Sequence, residues 1–235
     1  INKHVNALVN NGHNPEFRRL DVHRDDSTVL VWMKDIHYQV PSLATLLYHK
    51  LIGVMAAQLL NESVEVRLLL DALFYKNSHN GGAVGWHQDY SYWQHVEPAC
   101  PITAWIALTD SCEENGCLKV IPGSHQWGLM PGNWTNAFSE DPDELLNHPQ
   151  VKAEQGAAQP QSIELKVGDV SFHHCLTMHG SYANRAQEAR VGYVVQYLPS
   201  SARYNQNKVR FWQRDPQLNH GGAFMSDRHP VLWRP

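Results

Sequence analysis

Beyond residue 62 the chain consists of short apolar segments separated by turn residues, and this pattern restricts the folds open to it. The segments are rich in Val, Leu and aromatic residues, which favours β-strands. They comprise residues 64–75, 102–108, 117–121, 162–165, 170–174 and 190–198. Because no helices alternate with them, an α/β fold is excluded. The pattern predicts a mainly β fold, a double-sheet jelly roll with flanking helices.

The part of the chain before these strands has a different character. Residues 1–40 are polar and mixed, with weak periodicity, whereas apolar residues recur at helical spacing from 42 to 60, behind Pro41. Residues 128–156 are rich in Pro, Gly and Asn, with a short helical piece predicted near 143–146. We expect this segment to be an insertion that covers one end of the sheet.

A chain of 235 residues is long enough for one large domain. We predict a single domain over residues 1–235, composed of three parts. A helical N-terminal part covers about 1–62, the jelly-roll core about 63–200, and a C-terminal extension about 201–235.

The charge and cysteine content narrow the classes of partner and compartment. Lys plus Arg total 19 against 23 Asp plus Glu, for a formal net charge of -4, and no long basic run is present. A nucleic-acid groove is therefore not expected, and no apolar run is long enough to span a bilayer. The four cysteines include no CxxC pair, which argues against a disulfide scaffold and for a reducing, cytoplasmic compartment.

The stretch GWHQDYSYW places His87 and Asp89 two positions apart. On a strand, both side chains would point to the same face. A second histidine from a distant strand would complete a set of two histidines and one carboxylate, which leaves open positions on iron(II) for a co-substrate and dioxygen. Zinc also accepts this set. Since the chain has 15 histidines, a polar stripe on an edge strand is the alternative to a metal site.

The second histidine is constrained by the residues that follow it. The stretch FHHCLTMHGSYANRAQEARVGY contains His173, His174 and His179. Only His179 precedes a Gly-Ser pair and a turn that would bring Arg190 back beside it. A guanidinium can hold the far carboxylate of a metal-bound 2-oxo acid with two parallel hydrogen bonds, and the Ser181 hydroxyl can add a third. We therefore expect His179 to be the ligand and one of the other two histidines to face the core with a hydrogen bond.

Four stretches together resemble the phytanoyl-CoA dioxygenase family of iron(II)- and 2-oxoglutarate-dependent oxygenases. They are WHQD at 86–89, AWIALTDSCEENGCLKVIPGSH at 104–125, GDVSFHH at 168–174 and HGSYAN…R at 179–190. The resemblance covers most of the chain beyond Val64, and its specificity lies in the combination of the stretches. It implies a double-stranded β-helix, in agreement with the jelly roll predicted from the strand pattern.

Matched position by position, the resemblance implies that His87, Asp89 and His179 are the iron(II) ligands. It further implies that Arg190 pairs with the C5 carboxylate of 2-oxoglutarate and that Ser181 adds a hydroxyl. The implied cofactor set is iron(II), 2-oxoglutarate as the co-substrate and dioxygen, with ascorbate as an assisting reductant.

Other positions of the motifs have more modest expected roles. Trp105 matches a strand position that lines the co-substrate pocket in relatives. Ala186 departs from the family, in which many members carry a hydroxyl residue in this turn. Because that residue is a turn former, we expect the cofactor site to be intact. Ser124 and His125 in PGSH are expected to serve a turn, with Ser124 as a local cap.

Aromatic residues near the metal motif are candidates for substrate contact, with packing as the equal alternative. The candidates are Tyr90, Tyr92 and Trp93, which follow the motif, and Trp134, which lies in the insertion with Trp127 and Phe138. An aromatic, weakly charged lid suits a small or partly apolar substrate. The lack of a basic patch in the sequence argues against a coenzyme A tail.

The resemblance implies an oxygenase that hydroxylates an unactivated C–H bond of a small-molecule metabolite and releases succinate and carbon dioxide. Desaturation, epoxidation or cyclisation with the same cofactors is one alternative. A non-catalytic jelly-roll binding domain and a zinc hydrolase are alternatives from other classes. Halogenation is disfavoured because it needs a small residue at the carboxylate position, which Asp89 occupies.

Overall fold

The computed structural model of the protein describes residues 9, 18–24, 27–79, 81–131, 137 and 140–235. Three α-helices lie within these residues at full length, namely α1 (Pro41–Leu47), α2 (Lys50–Leu59) and α3 (Pro149–Gln155). None of the helices in this part of the chain has the length and apolar character needed to cross a membrane. The cytoplasmic compartment inferred from the cysteines stays a prediction.

Most of the strands belong to two main sheets. The strands in the described residues are β1 (Arg18–Arg24), β2 (Ser27–Lys34), β3 (Val66–Lys76), β4 (Val84–His87), β5 (Val96–Glu97), β6 (Ile102–Ala107), β7 (Leu118–Val120), β8 (Gln161–Ile163), β9 (Val170–His174), β10 (His179–Ser181), β11 (Arg190–Pro199), β12 (Arg203–Tyr204) and β13 (Val231–Trp233). The major sheet has the order β1-β2-β3-β11-β6-β9, with β13 also beside β3, and the minor sheet has the order β4-β10-β7-β8. The predicted mainly β jelly roll is confirmed.

The outer face of the major sheet buries the apolar core against the two N-terminal helices. Tyr193 and Tyr197 of β11 point to this face and pack with Leu73 of β3. Leu43 of α1 and Ala56 of α2 cover them from the helical side. Burial of this apolar surface is the main force that holds the helices on the sheet.

The inner faces of the two sheets enclose a cavity. Arg190 and Val194 of β11 and Trp105 of β6 line it from the major sheet, and His87 and His179 line it from the minor sheet. Because side chains alternate along a strand, β11 supplies apolar residues to the core on one face and Arg190 to the cavity on the other.

The N-terminal part differs from the helical segment predicted over about 1–62. β1 and β2 form an antiparallel hairpin that extends the major sheet from β3, and the helical stretch over 42–60 is two helices interrupted at Tyr48 and His49. The reason is tertiary: β2 gains its stability from pairing with a strand that lies far along the chain, and local periodicity does not report such a partner.

Two further expectations need correction. The helical piece predicted near 143–146 is a run of turns, and the helix of the insertion begins later, at Pro149. The segment 201–235 is more than an extension, because β13 returns to the major sheet and pairs with β3. The division of the chain into one domain of three parts stays a prediction.

A buried carboxylate on β3 ties the major sheet together. Asp71 is 0% exposed and accepts hydrogen bonds from the backbone N–H of His37 at 3.1 Å and from the Tyr193 hydroxyl at 2.9 Å. The Nδ1 atom of His37 lies 2.6 Å from the other carboxylate oxygen. The three elements joined in this way are β3, β11 and the turn that follows β2.

We predict that Asp71→Ala lowers the free energy of unfolding by about 3 kcal/mol, because it leaves the buried polar groups of His37 and Tyr193 without an acceptor. Tyr193→Phe, which removes one hydrogen bond and keeps the ring, should cost about 1 kcal/mol. Urea unfolding of the two variants measures both values. Equal stability of Asp71→Ala and the wild type would contradict the assignment.

Candidate active site

Strand pairing in the minor sheet brings two histidines together. His87 of β4 lies directly opposite His179 of β10, and their ring centroids are 4.2 Å apart. The Nδ1 atoms face the carbonyl oxygens of Gly85, at 2.7 Å, and Thr177, at 2.8 Å. These contacts favour a proton on Nδ1 in both rings and leave each Nε2 atom with a free lone pair, which is the arrangement of metal-binding histidines.

Asp89 completes the group from an unexpected position. β4 ends at His87, and Asp89 is the first residue of a 3-10 turn rather than part of the predicted strand. The turn still directs the carboxylate to the histidines. Its Oδ1 atom lies 3.6 Å from Nε2 of His87 and 3.5 Å from Nε2 of His179. The Thr103 hydroxyl of β6 donates to Oδ2 at 2.8 Å and fixes the orientation of the carboxylate.

The three side chains are buried and could hold a metal ion. One ligand atom from each of His87, Asp89 and His179 lies within 4.8 Å of the other two. Burial and the neighbouring His179 lower the pKa of His87. Burial acts to raise the pKa of Asp89, but His179 and the other imidazoles outweigh it and hold that pKa well below its usual range. A neutral imidazole and an ionised carboxylate are the forms that bind a divalent metal.

Arg190 lines the other end of the cavity, and a second cation, Lys76, is buried beside it. Arg190 of β11 lies opposite Lys76 of β3 in the strand register, and they are 2% and 0% exposed. Burial lowers the pKa of Arg190 to about 10, and burial followed by the charge of Arg190 lowers the pKa of Lys76 well below its usual range. Among the residues that the structure describes, no carboxylate forms an ion pair with either.

The two cations differ in their hydrogen bonds. Lys76 Nζ donates to the Ser181 hydroxyl at 2.7 Å and to the carbonyl oxygens of Ser181 at 3.1 Å and Tyr182 at 2.5 Å. The Nε and Nη1 atoms of Arg190, in contrast, form no hydrogen bond within the described part of the chain. Because an unpaired buried charge is costly, this end of the cavity is suited to a carboxylate from a bound molecule.

Trp105 forms the wall beside Arg190. The guanidinium carbon lies 5.0 Å from the centre of the indole ring, within the range of a cation–π contact. A Cβ atom at Gly192 would lie 2.2 Å from the indole. The space next to Gly192 is therefore filled by Trp105.

Of the aromatic residues proposed to contact substrate, Tyr92 lies nearest the metal ligands. Its ring is edge-on to the His87 imidazole, with 5.8 Å between centroids, and its buried hydroxyl forms no hydrogen bond in the described structure. Tyr90 and Trp93 pack in an apolar cluster with residues of the C-terminal segment, and the Tyr90 hydroxyl donates to the carbonyl oxygen of Val96 at 2.9 Å. Their environment favours a packing role over substrate contact.

The insertion gives less information about substrate contacts. Trp134 and Phe138 lie outside the described residues. Trp127 is partly buried against the apolar cluster of Trp86 and Ile121, and so it belongs to the packing of the minor sheet.

Three residues near the metal ligands, Trp86, Gln88 and Ser124, have structural roles. Trp86 packs in the apolar cluster beneath the minor sheet, and Gln88 bonds to the backbone of Gly128 and Met130. The Ser124 hydroxyl donates to the Ile121 carbonyl oxygen at 2.6 Å and accepts the backbone N–H of Met178 at 2.8 Å. Ser124 therefore serves the turn, as predicted.

Sequence reasoning missed three residues of the site. Lys76 was hidden in an apolar strand, and Thr103 was considered only as a neighbour of Trp105. His173 was expected to be a core residue or a minor competitor of His179, yet its Nε2 atom lies 3.4 Å from Oδ2 of Asp89. The polar residues inside apolar strands were the available signal, but their partners become evident only once the strand register is known.

The adjacent histidine makes the hydrogen bond that was expected of one of the pair. His174 Nδ1 accepts the backbone N–H of Leu176 at 3.2 Å. Both ring nitrogens of His173, by comparison, are buried and form no hydrogen bond among the described residues.

Comparisons with known proteins agree with this geometry. A model of the family described as phytanoyl-CoA dioxygenase (PhyH) matches residues 5–192. Ectoine dioxygenase of Bordetella bronchiseptica is 29% identical over 209 residues, which cover 82% of this chain and 65% of that protein. A phytanoyl-CoA dioxygenase of Arabidopsis thaliana is 33% identical over 126 residues, 54% of this chain and 42% of that protein. The chain thus spans less than two thirds of the length of these relatives.

Solved structures share the fold. The epimerase SnoN in complex with Fe3+, alpha ketoglutarate and nogalamycin RO has a TM-score of 0.75 at 21% identity, over 99% of this chain and 87% of that chain. EctD from S. alaskensis with 2-oxoglutarate and 5-hydroxyectoine has a TM-score of 0.70 at 22% identity, over 94% of this chain and 75% of that chain. The likeness establishes a jelly roll of the double-stranded β-helix type.

We predict that His179→Ala weakens the binding of a divalent metal by at least about 100-fold. Losses of this size already follow when a residue that hydrogen-bonds to a metal ligand is mutated, and His179→Ala removes a ligand itself. Calorimetric titration of the metal-free protein with cobalt(II) measures the affinity. The matched control is His125→Ala, which removes an exposed imidazole and should leave the affinity unchanged. Equal losses in the two variants, or none in His179→Ala, would show that the metal binds elsewhere.

Proposed function

The chain belongs to the phytanoyl-CoA dioxygenase family, and we propose that it is an iron(II)- and 2-oxoglutarate-dependent oxygenase that hydroxylates an unactivated C–H bond of a small-molecule metabolite. One observation carries the proposal. A buried set of two histidines and one carboxylate faces the same cavity as the buried Arg190. Lys76 is buried beside Arg190, and among the described residues neither cation forms an ion pair with a carboxylate. A dicarboxylate that binds the metal through one end and the cations through the other would supply both a ligand to the metal and a counter-charge to the cations.

In this proposal His87, Asp89 and His179 hold iron(II) on one face, which leaves the opposite face open to ligands. When bound, iron with 2-oxoglutarate and dioxygen supplies the oxidising power for C–H cleavage, and succinate and carbon dioxide are released. The family, together with relatives named as dioxygenases, supports iron over zinc.

The far end of the cavity would receive the C5 carboxylate of 2-oxoglutarate. Arg190 has two buried N–H groups free to donate, and the paired geometry of a guanidinium matches a carboxylate. Lys76 contributes a second charge and holds the Ser181 hydroxyl in place. The Trp105 indole keeps the guanidinium on the cavity side of the sheet.

The protein also excludes water from the reacting groups. His87, Asp89, His179 and Arg190 are each at most 8% exposed. Hydrogen bonds orient the two imidazoles and the Asp89 carboxylate before a ligand arrives. Such preorganisation lowers the cost of assembling the reacting groups.

The outcome of the oxidation depends on how the substrate is held. Among the structural relatives, SnoN is described as an epimerase and SnoK as a carbocyclase, so epimerisation joins desaturation, epoxidation and cyclisation as an alternative on this fold. Asp89 occupies the position that a halide would need, and this disfavours halogenation. Product analysis by mass spectrometry separates hydroxylation and epoxidation, which each add one oxygen, from desaturation and cyclisation, which remove two hydrogen atoms, and from epimerisation, which leaves the mass unchanged. NMR of the product then distinguishes a hydroxyl group from an epoxide.

The proposal predicts that the protein releases succinate from 2-oxoglutarate in the presence of iron(II), dioxygen and ascorbate, even without its substrate. Asp89→Ala should lower this rate by at least about 100-fold through loss of the metal. Asp110→Ala, which removes an exposed carboxylate paired with Lys166, should retain the rate. A wild-type protein that binds neither iron(II) nor 2-oxoglutarate would favour the binding-domain alternative. Conversion of a substrate in the absence of 2-oxoglutarate would favour a hydrolase.

A further inference from the structure

A second cavity opens between β8 and β9, the strands that end the minor and the major sheet within the described structure. Leu118 and Val120 of β7 and Ile163 of β8 line it on one side, and Ser171 and His173 of β9 line it on the other. We call it the β8–β9 cavity. Since Leu118 and His173 also line the cavity that contains the metal ligands, a molecule in the β8–β9 cavity would lie beside the metal.

Two side chains on this wall have hydrogen-bonding atoms that are buried and unused. Ser171 and His173 share the inner face of β9, opposite Trp105 and Thr103 of β6. The Ser171 hydroxyl and the Nδ1 atom of His173 form no hydrogen bond among the described residues. Because each such group costs about 1–3 kcal/mol when left unsatisfied, the wall is suited to a ligand that supplies the partners.

The position of His173 defines what that ligand must offer. Its Nε2 atom faces the ionised carboxylate of Asp89, with 3.4 Å to Oδ2, so a proton on Nε2 is favoured over a lone pair. The Nδ1 atom of a neutral ring is then an acceptor, and the matching ligand group is a donor. The Ser171 hydroxyl can either donate or accept.

The lining selects against charge. None of the described residues that line the β8–β9 cavity is Asp, Glu, Lys or Arg, and an ion without a counter-charge is costly to desolvate. Two further imidazoles face the cavity: His125 is exposed, and His174 uses its Nδ1 atom to accept a backbone hydrogen bond. Apart from Thr177, the remaining wall is aliphatic or aromatic, which suits the apolar face of a saturated ring.

We infer that the β8–β9 cavity binds the substrate, and that the substrate is a neutral molecule with several hydroxyl groups on a saturated ring, as in a cyclic polyol or a glycoside. Its hydroxyl groups bond to Ser171 and to Nδ1 of His173, and its ring packs on Leu118 and Val120. The inference rests on the proposed oxygenase function, and it differs from the partly apolar substrate that the aromatic residues near the metal motif suggested.

Saturation-transfer NMR on the protein loaded with zinc and 2-oxoglutarate tests the inference without turnover. The neutral hydroxylated probes are myo-inositol and methyl β-glucopyranoside, at millimolar concentration. Their matched counterparts are glucuronate for negative charge, glucosamine for positive charge and tetrahydropyran for a ring without hydroxyl groups. We expect signal transfer to the neutral hydroxylated probes, and a loss of about tenfold in their affinity in Ser171→Val, the cost of one hydrogen bond at a buried site.

His173→Phe serves as a second variant and Ser201→Val, at an exposed position, as the matched control; melting curves confirm that each variant is folded. Any of three results would overturn the inference. They are a preference for a charged probe or for tetrahydropyran, no binding of either hydroxylated probe, and equal binding of the hydroxylated probes to the wild type and to both cavity variants. Binding of 2-oxoglutarate to the same samples, and succinate release after iron(II) loading, report separately on the proposed function.

Discussion

The rest of the site depends on two buried cations, Lys76 and Arg190, that pair with no carboxylate of the described residues. They are neighbours on the paired strands β3 and β11, fully buried inside the jelly roll. Desolvation of each charge costs several kcal/mol when nothing compensates for it. Carbonyl and hydroxyl oxygens of Ser181 and Tyr182 compensate Lys76 in part, and the Trp105 ring compensates Arg190 in part. A bound carboxylate completes the compensation, which makes the cavity selective for an anion at this end.

The fold allows this expensive arrangement because the other face of the same strands is strongly stabilised. Tyr193, which follows Arg190 on the opposite face of β11, is buried in the main core and donates to Asp71 of β3. The sheet that holds the cations is therefore anchored by apolar burial and by a hydrogen-bonded carboxylate. The minor sheet performs the corresponding task for the metal ligands, since the pairing of β4 with β10 alone places His87 beside His179.

Much of the architecture and half of the site could be predicted from the sequence. The strand pattern after residue 62 predicted the jelly roll, and the spacing of His179, Ser181 and Arg190 predicted residues that share the cavity. Asp89 was predicted to lie in a strand and lies in a 3-10 turn. The error left the metal group intact because only the convergence of the side chains matters, and several backbone conformations achieve it.

What escaped prediction depends on register and on long-range pairing. Lys76 and Thr103 act through residues that are distant in sequence, and nothing local marks an inward lysine or threonine in an apolar strand. The same holds for the β1–β2 hairpin, which joins the sheet through the pairing of β2 with β3, a strand that lies beyond two helices. His173 was underestimated because neighbouring histidines on a strand point to opposite faces, and the sequence does not say which one faces the metal.

The most direct test of the central claim compares two ligands that differ only in the far carboxylate. The zinc-loaded protein should bind 2-oxoglutarate about 100-fold more tightly than 2-oxopentanoate, because charge-assisted hydrogen bonds of about 1.5–3 kcal/mol each are made only with the former. In Lys76→Met this preference should shrink by about tenfold, and in Lys166→Met, which changes a lysine with an 81% exposed side chain, it should persist. Equal affinity of the wild type for the two ligands would contradict the account.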